Sequence, residues 1–197
     1  MTEVPEPLKL ETRVGLPADL RYLVEKYPRE DWQTHPNLGE MARFWLQRHD
    51  MFRELGGMLK AGVADYREDK FAPHDFARWF APRLRFFLQQ LQGHHHIEDT
   101  HYFPVFAKVE PRMKRGFDLL DSDHHVIHDA LERNAQAGTS FLQALQANNG
   151  RERFSADAYA SENEALLAML LRHLGDEEDL IIPLILDRSE EGLGVGI

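Results

Sequence analysis

Two stretches of this 197-residue chain set an imidazole and a carboxylate four residues apart: His94 with Glu98, and His173 with Glu177. In each copy a second acid follows the glutamate (Asp99, Glu178), and an apolar residue and a proline come five and six residues after it (Phe103-Pro104, Ile182-Pro183). The pattern H-x-x-x-E-[DE]-x-x-x-[FI]-P therefore occurs twice, 79 residues apart. On a helix, residues i and i+4 share a face, so each copy aims both groups the same way. Imidazole with carboxylate is a donor set for iron, manganese or zinc more than for calcium or magnesium.

These residues need helices to hold them, and the apolar periodicity supplies four. The first seam runs Leu38, Met41, Trp45, His49, Phe52, Gly56, Leu59, Val63, with Asn37 and Glu40 as a capping pair at its start. Residues 64–74 read as a loop. A second helical region, 74–109, carries Leu84, Phe87, Leu91, His94, Glu98, His101 and Val105, with a kink or break expected at Pro82 and a distorted last turn at Pro104. The third seam is Leu120, His124, Ile127/His128, Leu131, Ala135, Gly138, Leu142, Leu145. Its start is expected near Asp118, Asp121 or Ser122, and Asn148-Asn149-Gly150 is its stop. The fourth, capped by Ser155, shows Tyr159, Glu162, Leu166, Leu170, His173, Glu177, Leu180 and Leu184. No alternating segment argues for a strand. His49 precedes its H-x-x-x-E copy by 45 residues and His124 precedes the other by 49, which reads as a duplicated helix pair. The expected fold is all-α: a four-helix up-down bundle over 37–186, an N-terminal arm over 1–36 packed outside it, and a loose tail over 187–197. Within the proline-rich arm, 17–27 reads as a short helix.

Composition narrows the classes of function. There is no cysteine, which removes disulfides, zinc–thiolate sites and cysteine nucleophiles. The first ten residues lack the basic and apolar regions of a secretory signal, and no stretch approaches the ~20 apolar residues of a membrane span. The expected location is cytoplasmic. The formal net charge of −10, without a lysine or arginine block, argues against nucleic acid as a partner. Eleven histidines remain to be explained.

Five histidines and two glutamates on seams meant for burial are costly without partners, and a bound cation satisfies both their lone pairs and their charge. The candidate metal ligands are His49, His94, Glu98, His124, His128, His173 and Glu177. Seven side chains exceed the needs of one ion. Two six-coordinate ions sharing both carboxylates and a bridging oxygen use every ligand and keep one position open for a small molecule. His95 with Asp99 is a second i, i+4 pair, but the seam favours His94. His35, His74, His95, His96 and His125 read as surface residues. His101 reads as a solvated helix-end residue or a partner near the site.

The chain resembles the bacterial H-H-E type of hemerythrin-like protein over about 37–186. His49 is similar to the family's single first-helix histidine, His94 and Glu98 to its second-helix pair, His124 and His128 to the third-helix H-x-x-x-H, and His173 and Glu177 to the fourth-helix pair. The resemblance implies a four-helix bundle around two iron ions, a non-haem di-iron centre with an oxo or hydroxo bridge, that takes up oxygen, peroxide or a related small diatomic ligand. Oxygen carriers of that family space the last pair as H-x-x-x-x-D. The spacing here is nearer to relatives linked to iron and redox or nitric-oxide stress; the iron-repair members among them carry a cysteine-bearing extra domain, and this chain has no cysteine.

Rival chemistries fit less well. Ferritin-like oxidases use E-x-x-H pairs; Glu98 and His101 match once, but Leu180 stands at the second position. The zinc-protease H-E-x-x-H is absent. An all-helical metal phosphohydrolase would use His49-Asp50 or His128-Asp129, whose acids leave the seam. Trp45, Phe52, Leu91, Ile127, Leu131, Leu170 and Leu174 form an expected apolar lining with no serine, lysine or free carboxylate for acid–base work.

Overall fold

The computed structural model describes residues 4–148 and 150–195, and among these every regular element is helical. Four long helices carry the chain: α1 (Glu40–Arg67), α2 (Pro73–Ile97), α4 (Lys114–Ala147) and α5 (Glu152–Arg188). Two short ones, α3 (Phe103–Val109) and α6 (Glu190–Leu193), follow α2 and α5. Between α2 and α3, Glu98–Tyr102 wind as a π-helix. The expected distortion before Pro104 thus sits on the turn that begins with the candidate ligand Glu98.

Pro82 does not break α2. A mid-helix proline strips a hydrogen bond from the preceding turn, and in that turn the Arg83 guanidinium donates to the Trp79 carbonyl at 2.9 Å. Pro183 likewise lies inside an unbroken α5. Three expected helix starts move. α4 begins at Lys114 because the apolar seam extends back through Met113, Phe117 and Leu120, all buried. α5 begins at Glu152, ahead of the expected cap Ser155. At α1, Asn37 donates to the Leu186 carbonyl instead of capping, and Glu190 Oε1 accepts the Ala42 N–H at 2.9 Å. Gly39 permits that approach, since a Cβ there would run into the Glu190 carboxylate. The loop after α1 is shorter than expected, because the helix continues to Arg67 and the next begins at Pro73. After α4, Asn148 (φ 45°) and Gly150 (φ 83°) take left-handed conformations, as a helix stop requires; Asn149 lies outside the described residues.

The chain divides into two compact units, and each long helix contributes a segment to both. The first comprises the residues up to Asp50, His95–His125, and those from Leu171 onward. Its core joins Trp45 of α1, Phe103 and Phe106 of α3, Phe117 and Leu120 of α4, and Ile181 and Ile185 of α5. Leu16, Leu20, Leu23 and Trp32 of the arm belong to that same core. Residues 17–27 form turns instead of the expected helix, and among the described residues of the arm the helical turns are 3-10 segments at Glu6–Leu8 and Arg29–Thr34. Of the stretch read as a loose tail, the described residues to 195 are packed: Leu193 and Val195 are buried and Ser189 caps α6. The second unit, Met51–His94 with Val126–Leu170, is held by aromatic rings. Phe76 stacks on Phe80 with centroids 5.1 Å apart, and Tyr159 meets Phe80 edge-on at 4.9 Å.

Candidate metal centre

Most candidate ligands stand at seam positions of the long helices, and Glu98 opens the π turn that follows α2. His49 of α1, Glu98 at the start of the π turn, and His173 and Glu177 of α5 are all at 0 % exposure, and His124 of α4 is at 4 %. His95 at the end of α2 is buried as well.

The two sequence copies reach across in the same way. In the first, Glu98 Oε2 stands 3.5 Å from His124 Nε2, while Asp99 Oδ1 accepts a hydrogen bond from His124 Nδ1 at 2.6 Å. In the second, Glu177 Oε1 stands 3.5 Å from His49 Nε2, while Glu178 Oε1 accepts from His49 Nδ1 at 2.9 Å. The motif's glutamate and the acid after it thus address the two nitrogens of one histidine. A third pairing has Asp123 Oδ2 3.3 Å from His173 Nδ1. A carboxylate that accepts at Nδ1 fixes the proton there and leaves the Nε2 lone pair pointing inward, the arrangement metal-binding histidines use. Trp45 Nε1 donates to Glu177 Oε1 at 2.6 Å, and Glu177 Oε2 lies 3.3 Å from His173 Nε2 with no hydrogen-bond partner among the described residues.

The electrostatics are those of a place built for positive charge. Burial, then the charge of Glu177, holds the Glu98 carboxyl well above the usual range. For Glu177 burial pulls upward too, but the His49 and His173 rings outweigh it and hold it well below that range. Burial alone would lower His173; Asp123 and Glu177 raise it to about 9. Burial lowers His124, and Asp99 only partly offsets that. His124 Nε2 and His173 Nε2 face each other at 3.0 Å. With both Nδ1 protons committed to carboxylates, two facing lone pairs repel unless a cation sits between or beside them. A proton or a metal ion at that place would relieve the repulsion.

Two groups of ligand atoms result, each within 4.8 Å internally: His49, His94, Glu98 and Glu177, and His95, His124 and His173. Six of the seven residues singled out from sequence fall in them. His128 does not: its side chain is 48 % exposed and lies 3.9 Å from Glu132. On α4 the buried positions after His124 are Ile127, Ala130 and Leu131, so His128 points outward. His95, expected at the surface, is the residue brought in instead. Its ring stacks on that of His124 with centroids 4.0 Å apart and 10° between planes. His96, His101 and His125 are exposed. Asp99 and Glu178 were visible as the repeated acid of the motif but carried no expected role; Asp123 and Trp45 gave no such signal beyond adjoining or sharing a ligand's seam.

No helix among the described residues is long and apolar enough to cross a membrane. A family model described as the hemerythrin HHE cation binding domain matches residues 40–185. No curated protein and no solved structure matches the chain.

Proposed function

The chain belongs to the hemerythrin HHE cation-binding family, and we propose that it is a non-haem di-iron protein that binds oxygen or a related small ligand such as peroxide or nitric oxide. In this reading α1, α2, α4 and α5 form an up-and-down four-helix bundle. His49, His94, Glu98 and Glu177 would hold one ion, and His95, His124 and His173, with the same two carboxylates within reach, would hold the other. The observation that carries the reading is the position of those two carboxylates: Glu98 lies 3.5 Å from His124, and Glu177 lies 3.5 Å from His49 and 3.3 Å from His173. The five-histidine, two-glutamate inventory is unchanged from the sequence count, with His95 in place of His128, and seven such side chains would suit two ions.

When bound, the metal pair would supply a redox-active centre with room for one small ligand. The protein's own part is to keep that place dry and oriented. Trp45 donates to Glu177, Asp99, Asp123 and Glu178 orient three histidines, and burial excludes water. The phosphohydrolase alternative loses support because Asp50 and Asp129 are exposed, and the ferritin-like one because Leu180 is a buried apolar residue. A cysteine-free chain suits the reducing cytoplasm.

The test is metal analysis after expression with ample iron, followed by exposure of an anaerobic ferrous sample to oxygen. About two irons per chain and a visible band that fades on deoxygenation support a carrier or sensor. Irreversible oxidation shifts the reading to redox sensing or iron handling, and a single zinc ion defeats it.

A further inference from the structure

We propose that the N-terminal arm is a working part of the metal centre, in which Arg13 and Arg29 are positioning residues that fix His173 and His49 through Asp123 and Glu178. This rests on the di-metal reading above. The arm lies outside the stretch that the family model matches.

The Arg13 side chain is completely buried. Its Nη1 donates to Asp123 Oδ1 at 2.7 Å, its Nη2 to Asp123 Oδ2, and its Nε to Asp176 Oδ2 at 2.7 Å. Asp123 Oδ2 is also the oxygen that faces His173 Nδ1. One carboxylate is therefore gripped by a two-pronged fork on one side and holds a candidate ligand on the other. Arg29 makes the equivalent relay in the other half. Its Nη1 donates to Glu178 Oε2 at 2.7 Å, and Glu178 Oε1 takes the His49 Nδ1 proton. Arg29 is itself held by Asp179, by the Gly175 carbonyl, and by the Trp32 ring 4.8 Å away. Each ligand group thus contains one histidine tied to the arm: His49 in one, His173 in the other.

The third relay differs. Asp99, which orients His124, is 30 % exposed and bonds no arm residue among those described. It serves as an internal reference. A carboxylate paired with a guanidinium keeps its rotamer and gives up part of its basicity, so the imidazole keeps its Nδ1 proton and its ring stays aimed. Without the arginine, Asp123 and Asp176 would be buried charges lacking a counterion, and each would reorient toward water or take a proton. Loss of such an outer partner lowers metal affinity by about 10- to 100-fold. A mere strap would need only its apolar residues, Leu10, Leu16, Leu20 and Leu23, and would have no use for a buried guanidinium.

The test uses the full chain loaded with cobalt(II), whose paramagnetism shifts the imidazole N–H protons of bound histidines clear of the rest of the spectrum. Exchange of each N–H with D2O is followed together with metal release to a chelator. Arg29→Ala is expected to speed exchange at His49 at least about tenfold and leave His173 and His124 alone; Arg13→Lys, which keeps the charge but loses the fork, does the same at His173. Both release metal about 10- to 100-fold faster than wild type. Arg21→Ala removes an arm arginine that pairs only with Asp179 and changes neither reading. Equal changes at all three histidines, or none, make the arm a strap and overturn the proposal while the metal reading stands. A wild-type chain that takes up no cobalt defeats the metal reading itself. Should Arg13→Lys fail to fold, the half-exposed Arg29 decides alone.

Discussion

The exchange of His128 for His95 makes opposite forecasts for two single substitutions. His128 is 48 % exposed and its nearest acid, Glu132, is 64 % exposed at 3.9 Å. An ion pair of that kind contributes about 0–1 kcal/mol, and a surface change away from special features stays within about 0.5 kcal/mol. His128→Ala should keep two irons and move Tm by no more than about 2 °C. His95 is 5 % exposed, stacked on His124, and grouped with His124 and His173. At free metal about 100 times Kd, bound metal adds about 2.7 kcal/mol of stability. In a chain of this size each kcal/mol moves Tm by about 2–4 °C, so loss of that linkage removes about 5–11 °C from the metal-loaded Tm. The assay is iron content after chelator dialysis, with melting curves for loaded and metal-free samples of both variants. The difference between loaded and metal-free Tm isolates the metal contribution from any packing loss. A His128→Ala protein that loses iron beside a His95→Ala protein that keeps both ions would refute the placement of His95 in the centre.

Two glycines of α1 should respond in opposite directions. A Cβ on Gly62 runs into the rigid Trp79 ring, so Gly62→Ala costs about 1–3 kcal/mol, whereas nothing lies within 4 Å of one on Gly57, and Gly57→Ala gains about 0.5–1 kcal/mol by urea denaturation. Leu193→Ala, in the stretch read from sequence as loose, removes a side chain at 2 % exposure and should cost about 2–5 kcal/mol. The Asp187 carboxyl is held below its usual range by the hydrogen bond from Lys26, which outweighs its partial burial. A folded pKa below the unfolded ~3.9 means stability that is present above that pH and lost as pH falls through the folded value. Asp187→Asn should therefore flatten the acid side of the Tm–pH curve below about pH 4 by under about 1 kcal/mol, and an unchanged curve would show that the pairing contributes nothing.

The seams were legible because burial on a helix is periodic. His49, His94, His124, His173 and Glu177 stand on long helices where the 3.6-residue repeat puts them, and Glu98 opens the π turn that continues α2. His128 lies outside both groups because the seam offered two neighbours there, Ile127 and His128, and the apolar residue took the buried position. His95 was missed because a seam names a line, whereas the start of a π turn three residues later marks a place where two adjacent positions, 94 and 95, both carry ligand atoms. The arm was illegible for a different reason. Nothing local marks Arg13 as buried, since its partners Asp123 and Asp176 lie 110 and 163 residues away. The buried carboxylates were half-visible: Asp99 and Glu178 recur at the same place in both copies, but only the fold shows that each serves a histidine on another helix.

The arm's two guanidinium clamps also set an order of events in time. Arg13 and Arg29 are made early, yet their partners on α5 follow 163 and 149 residues later. At about 5–20 residues per second of synthesis, the arm waits on the order of ten seconds or longer for its first α5 carboxylate. Both ligand groups need α5 as well, through His173 and Glu177. Contacts so distant along the chain close late in folding, because loop entropy must be met before they give any return. Until α5 is made, the histidines of α1, α2 and α4 lack the His173 and Glu177 side chains that complete the two groups. Docking of the arm onto α5 is the step that brings Arg13 to Asp176 and Arg29 to Glu178.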